Sequence, residues 1–341
     1  MAIARSWHTT GLQLLLERRN LTDELVREAI SDLTAGRFDD AESAAFLVAW
    51  RMKGEAAAEI AAAVDVLREG MIRLRPPVRP VLDTCGTGGD GCGTFNISTA
   101  VALVVAAAGV PVVKHGNRSV SSKSGSADVL AALNVPVEAG PTWAQQSLDS
   151  LGFAFCFAPQ FHPALAKVGP LRKKLGVRTV FNLMGPLLNP AGAEHQLLGV
   201  GRAELLDPLA GAIARLGTRH ALLVYGRDGL DEVSLSGPTV VRRVCDGAIE
   251  QLEWTPGDFG LEPVAISDLV VDGPVGSAAT VRTVLAGDDV PARRIVLANA
   301  AAALVAAGHA ANLRDGVATA ARAIDSGSAR RLLDRLTRPV D

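Results

Sequence analysis

The residues of this chain best suited to chemistry fall in two glycine- and hydroxyl-rich segments. They read GTGGDGCGTFNIST (residues 86–99) and KHGNRSVSSKSGSAD (residues 114–128), and one apolar segment, residues 100–113, separates them. Gly86, Gly88, Gly89, Gly91 and Gly93 let the backbone turn tightly and bring bare N–H groups against a ligand. Ser98, Thr99, Ser119, Ser121 and Ser122 add hydroxyls, and Lys114 and Arg118 add positive charge. Two anion-binding segments on one short unit suit a ligand with two anionic ends, such as a phosphorylated sugar carrying a pyrophosphate.

The glycine segment does not fit the common phosphate fingerprints. GTGGDG matches G-x-G-x-x-G at Gly86, Gly88 and Gly91. A dinucleotide site, however, opens its helix at the glycines and places an acid about 20 positions on. Here a helix is expected only near Ser98, and residues 109–113 offer no acid. No G-x-x-x-x-G-K-[ST] occurs. Taken alone, GTGGDG reads equally well as a turn between a strand and a helix; the two segments together favour an anion site. Two other features stay open on sequence alone. Asp231 and Glu232, in GRDGLDEVSLSG, suit a hard cation but also a solvated acidic turn. Arg172, in PLRKKLG, offers a fork for a carboxylate or is one more member of a solvated basic run.

The paired segments closely resemble the anthranilate phosphoribosyltransferase family. The resemblance continues through FAPQFHPALAKVGPLRKKLGVRTVFNLMGPLLNPA (residues 157–191), QLLGVGR (196–202) and VYGRDGLDEVSLSGPT (224–239), and so spans nearly the whole chain. It implies transfer of a phosphoribosyl group from 5-phosphoribosyl 1-pyrophosphate to the amine of anthranilate in tryptophan biosynthesis. It implies two Mg2+ per monomer at Ser98, Asp231 and Glu232, with Lys114, Asp231 and Glu232 as the catalytic set. The donor residues it implies are Gly86, Gly89, Asp90, Thr94, Asn96, Ser98 and Thr99 on the first segment. On the second they are Lys114, Asn117, Ser119, Ser122 and Ser126. Asp90 would reach the donor directly or through metal-bound water. The acceptor residues it implies are Arg172, Asn117 and Gly86, with His115 and His162 in the acceptor channel. One departure is visible: Ala166 stands where related sequences commonly carry a Lys, with Lys167 next to it. Only a peripheral contact depends on that position. Two rival functions share the architecture: a pyrimidine nucleoside phosphorylase using free phosphate, and a non-enzymatic nucleic-acid-binding relative. The first would not need adjacent metal carboxylates; the second should show a basic surface and an eroded site.

A formal net charge of −2 argues against a general nucleic-acid surface, though not against a local basic pocket. The N-terminal twenty residues hold Arg5, His8, Glu17, Arg18 and Arg19, and no apolar run of membrane length lacks polar residues. Neither a leader peptide nor a membrane partner is expected, and the expected compartment is the cytosol. Cys85, Cys92, Cys156 and Cys245 include no C-x-x-C pair, which removes zinc-ribbon and thioredoxin readings. All four read as small apolar fillers. Aromatics are only 4% of the chain, so Ala, Val and Leu must fill the core.

The elements that position these residues follow from periodicity. Helices are expected at 10–18, 22–35, 39–52 and 54–69, then a proline-rich linker at 74–80. Beyond it strands at 80–83, 110–114, 135–137, 153–157 and 220–225 alternate with helices at 98–108, 127–133, 142–150, 163–174 and 205–216. Late helices are expected at 292–307 and 316–326. The fold class is therefore α/β. A small N-terminal helical subdomain (residues 1–76) precedes a larger domain (77–341) with a central, largely parallel sheet; the resemblance implies the nucleoside phosphorylase/phosphoribosyltransferase type. Leu12, Leu15, Leu16, Leu25, Ile30, Ala44, Phe46 and Leu47 form apolar stripes that so small a helical unit cannot cover alone. A homodimer through these helices is expected, as the resemblance also implies.

Overall fold

The computed structural model describes residues 7–119 and 124–338. The N-terminal part is helical, with Asp23–Ala35, Asp40–Lys53 and Ala57–Glu69 as its main helices. Their starts are set by side chains. Thr22 accepts from the Leu25 N–H at 3.4 Å, and Asp39 and Glu42 form a reciprocal capping box. Trp7, Phe38, Phe46 and Trp50 pack their rings together inside this bundle.

Seven strands follow: β1 Leu82–Gly86, β2 Val112–Gly116, β3 Phe153–Phe157, β4 His195–Gly199, β5 His220–Gly226, β6 Thr239–Cys245 and β7 Ala248–Trp254. They form one sheet in the order β3-β2-β1-β4-β5-β6-β7. The first five are parallel, and β6 and β7 add an antiparallel edge. The chain runs outward from β1 through β2 to β3, then returns to place β4 on the other side of β1. The connections therefore diverge between β1 and β4, where Gly86 and Gly199 lie in register at the carboxyl ends. Such a reversal opens a crevice in a parallel sheet, the usual place for a ligand.

One face of the sheet packs on the alanine-rich helices Ile97–Ala107 and Pro291–Ala306. The other face, through Leu198, Ala221 and Leu223, shares a core with Leu206–Arg215 and the N-terminal helices. The helical part is thus held to the sheet by apolar contact. Gly169–Leu175 extends that contact, with Lys174 Nζ donating to Asp40 and Lys167 Nζ to the Ala35 carbonyl.

Three expectations need correcting. Residues 135–137 form no strand: Pro136 has no N–H to pair, and the Val137 N–H turns back to the Val135 carbonyl. Their burial explains the apolar pattern without any pairing. The helix expected at 163–174 is divided, because Gly169 and Pro170 restart it; a 3-10 turn, Pro163–Ala166, precedes Gly169–Leu175. Cys245 is exposed and fills no core. Among the stripe residues, Leu15, Leu25, Ile30, Phe46 and Leu47 are buried, Leu12 and Ala44 half-buried, but Leu16 is 67% exposed. It joins Val48 and Met52 as large apolar side chains in solvent.

Candidate active site

The loop after β1 is shaped by left-handed glycines, with φ of +63° at Gly88, +83° at Gly89, +74° at Gly91 and +69° at Gly93. Glycine at the end of β4 matters for a different reason. A Cβ on Gly199 would stand 1.7 Å from the Asp231 carbonyl oxygen, and one on Gly201 2.7 Å from that of Gly88. Bare backbone there lets the loop after β5, which carries the acids, and the loop after β1 close on the same strand end. The far arm of the glycine loop is pinned by a short pairing: Phe95 N–H donates to Leu269 O and Val271 N–H to Gly93 O. Asn96 then caps Ile97–Ala107, its Oδ1 accepting from the Thr99 N–H at 3.1 Å.

These loops enclose a cleft of about 310 Å³ at the carboxyl ends of β1, β2 and β5. Of the residues singled out in the sequence, Gly86, Gly89, Asp90, Thr94, Asn96 and Ser98 line it from the first loop. Lys114, His115, Asn117, Ser119 and Ser126 line it from the second, and Asp231 and Glu232 from the third. Three others lie elsewhere. Thr99 is buried behind the helix N-terminus, its hydroxyl donating to Asn96 Oδ1. His162 is buried under His115. The Arg172 guanidinium lies over the Phe181 ring, 5.3 Å from its centroid, and does not line the cleft. Ser122 lies outside the described residues.

Lys114 is 1% exposed, and its Nζ donates to the Thr84 carbonyl and, at 3.1 Å, to Ser98 Oγ. Burial lowers its pKa, against the pull of Asp83. Asp83, wholly buried below it, is pushed up to about 6 by burial, although Asn189 and the His115 N–H donate to it. Burial and then the charge of Asp90 push Asp231 up to about 7, and burial and then Asp231 push Glu232 well above the usual carboxylate range. Asp90, Asp231 and Glu232 therefore crowd one another within the cleft. The donors they offer, with Ser98 Oγ, are oxygen atoms, as a hard divalent cation requires. Among the described residues no three His, Cys, Asp or Glu side chains form a complete cage. Mg2+ needs no such cage, because it keeps water and substrate phosphate oxygens as ligands alongside one or two carboxylates.

The imidazoles are neutral near pH 7, because burial pushes His115 down to about 3 and His162 to about 4. His115 Nδ1 lies 3.1 Å from the Gly185 carbonyl, so that nitrogen carries the proton and donates. Its Nε2 faces His162 Nε2 at 3.1 Å. Both His115 nitrogens are thus committed within the protein, and the ring presents no free nitrogen to a ligand.

Sequence reasoning missed several residues of the site. Gly199 and Gly201 stand in the quoted QLLGVGR, but their spacing gives no hint of what approaches them. Val271 lines the cleft from a segment that carries no motif. Asn182 and Arg178 also line it, and Arg178 donates to the Thr87 carbonyl at 2.6 Å.

Comparison with known proteins agrees with this geometry. Residues 11–71 match the glycosyl transferase family, helical bundle domain, and residues 78–330 the glycosyl transferase family, a/b domain. The anthranilate phosphoribosyltransferase of Anaeromyxobacter dehalogenans (strain 2CP-C) is 50% identical over 322 residues, covering 94% of this chain and 95% of the relative. The crystal structure of anthranilate phosphoribosyltransferase from Thermus thermophilus superposes with a TM-score of 0.89 at 43% identity, covering 96% of this chain and 98% of that one. The Saccharomyces cerevisiae enzyme, in complex with PRPP and Mg, superposes with a TM-score of 0.87 at 29% identity, covering 98% and 97%.

Proposed function

The chain belongs to the glycosyl transferase family, among the anthranilate phosphoribosyltransferases, and from that premise we propose how its residues divide the reaction. The 5-phosphoribosyl group passes from 5-phosphoribosyl 1-pyrophosphate to the amine of anthranilate, and pyrophosphate leaves. The observation that carries the assignment of roles is the convergence of two glycine-rich loops and an acid pair around one buried lysine.

In this reading the donor lies along the first loop and the N-terminus of Ile97–Ala107. Backbone N–H groups and the helix dipole there favour its phosphate charge. Lys114, Asn117, Ser119 and Ser126 meet it from the second loop. As the C1–oxygen bond breaks, positive charge builds on the ring and negative charge on the pyrophosphate. Lys114 holds a fixed positive charge at that leaving group without reorganising. Two Mg2+ ions, held by Asp231, Glu232 and Ser98 with Asp90 reached directly or through water, would supply Lewis-acid neutralisation of the pyrophosphate. Arg172 takes the anthranilate carboxylate, while Asn117, Gly86 and the neutral His115 and His162 shape the acceptor channel. The aniline nitrogen is uncharged and attacks C1 with its own lone pair. Its proton then leaves to solvent, since both His115 nitrogens are already engaged.

Anthranilate fluorescence tests the assignment directly. Consumption is expected only with both the phosphoribosyl donor and Mg2+ present, and a chelator should abolish it. Cleavage of a pyrimidine nucleoside by free phosphate, with no anthranilate consumption, would place the chain with the nucleoside phosphorylases instead.

We further place the reaction in the cytosol, where unpaired Cys85, Cys92, Cys156 and Cys245 stay reduced, and divide the chain near residue 76. The assembly we propose is a two-fold dimer through the helical part. Leu16, Val48 and Met52 are 67%, 37% and 74% exposed, and nothing among the described residues covers them. A self-complementary apolar patch of this kind is buried most simply against its own copy. Met52→Asp should therefore convert a particle of twice the 35.4 kDa chain mass into one of that mass on light scattering. A wild-type protein already monomeric at micromolar concentration would refute the interface.

A further inference from the structure

We infer that Arg178 is a positioning residue for the donor, clamping the glycine loop from the acceptor side. The inference rests on the reading above, that this loop binds the donor. Arg178 stands in the short link between Gly169–Leu175 and Val180–Met184. Its Nη2 donates to the Thr87 carbonyl at 2.6 Å. A Cβ on Gly89 would stand 1.4 Å from Nη1 and 2.6 Å from Cζ, so the guanidinium occupies space that glycine alone leaves empty.

The clamp completes a set of restraints on one residue. Thr87 N–H donates to the Gly199 carbonyl at 2.9 Å, and Thr87 Oγ1 accepts from Gly201 N–H at 2.9 Å. The end of β4 thereby fixes the amide and the side chain, and Arg178 fixes the carbonyl. Directly beyond it come Gly88 and Gly89, both left-handed, whose conformations have no side chain to hold them. Without the clamp the peptide between Thr87 and Gly88 is free to rotate and re-aim the N–H groups that follow. Burial, Arg202 and Arg51 disfavour the charge on this guanidinium and Asp231 and Asp90 only partly offset them, so the hydrogen bond to Thr87 and the fit beside Gly89 hold it in place. A loop already held in its binding shape spares the donor the entropy of ordering it.

Steady-state kinetics of Arg178→Gln and Arg178→Lys, with the wild-type full chain alongside, test this. Arg178→Gln should raise the KM for 5-phosphoribosyl 1-pyrophosphate about tenfold or more, the scale of one charge-assisted hydrogen bond. The KM for anthranilate should stay within about twofold by the same measure, since no acceptor group is touched. Arg178→Lys should recover most of the loss, because an ammonium group still donates to a carbonyl. Hydrogen exchange at residues 87–93 should quicken in Arg178→Gln in the absence of any substrate. An unchanged donor KM and unchanged exchange would overturn the clamp. So would an equal rise in both KM values that Lys fails to rescue, which marks a scaffold residue. If Arg178→Gln fails to fold, the Lys variant and the wild-type exchange pattern decide: slow exchange at 87–93 supports the clamp, and rapid exchange overturns it. Wild-type protein that ignores the donor would sink the donor reading, while the exchange result would still judge the clamp.

Discussion

Replacing Asp231 by Asn and Glu232 by Gln together is expected to lower turnover on the order of a thousandfold, the cost of stripping electrostatic stabilisation from a developing charge. The same double substitution should raise the melting temperature of the metal-free protein. Asp231 has an ordinary value of 3.8 and is pushed up to about 7 by burial and by Asp90, and Glu232 is raised in the same direction. Between about pH 4 and pH 7 the folded protein keeps a proton on Asp231 that the unfolded chain has released. Unfolding then releases protons, so stability falls as pH rises through that window. An amide does not titrate, so the gain in melting temperature should be small near pH 4 and largest at pH 7 and above. Mg2+ should raise the melting temperature of the wild type, because it binds the folded state alone, and leave that of the variant unmoved. Stability surrendered at a functional site is the usual cost of such a charge cluster. Wild-type-like turnover in the double variant would remove both acids from the metal site. A melting temperature that falls would show that their role is structural.

The loops were legible in the sequence because their chemistry demands rare residues. Gly88, Gly89, Gly91 and Gly93 adopt left-handed backbones that few other residues tolerate, and a run of them is visible at once. Strands β1, β2, β3 and β5 could be read because apolar runs end there at glycines or turns. Strand β4 could not, since HQLLG has no β-branched residue and every one of its positions is buried, which removes the alternation. The failed strand at 135–137 is the converse error: buried valines around a proline satisfy a core without a ladder. Arg178 was illegible for a deeper reason. Its role depends on an empty space beside Gly89, which the linear distance between them hides. Leu16 shows what periodicity leaves open, since it does not distinguish a side chain buried within the chain from one left for a partner.

Arg172→Ala is expected to raise the KM for anthranilate by roughly thirtyfold or more, and that for the donor far less, since a lost charge-assisted pair costs about 2–5 kcal/mol. Burial alone lowers the pKa of this guanidinium, and among the described residues no carboxylate pairs with it. Its neighbour is the Phe181 ring, which supports the plane of the fork and leaves its edge N–H groups for a ligand. A desolvated, unpaired cation favours an anionic partner, and His115 and His162 are neutral near pH 7 and offer none. An aromatic acid with its carboxylate on Arg172 would also carry an amine that must reach the cleft. Arg172 does not line the cleft in this structure, so an acceptor held by it would reach the cleft from outside or draw its helix, Gly169–Leu175, closer. Lys174 on that helix bonds Asp40, and Lys167 just before it bonds the Ala35 carbonyl, so such an approach would carry the N-terminal helices with it. Arg172→Lys should recover only part of the loss, because an ammonium cannot match both carboxylate oxygens in one plane. Equal effects on both KM values would move Arg172 to the donor site or the scaffold. Full recovery by Lys would reduce its role to a point charge.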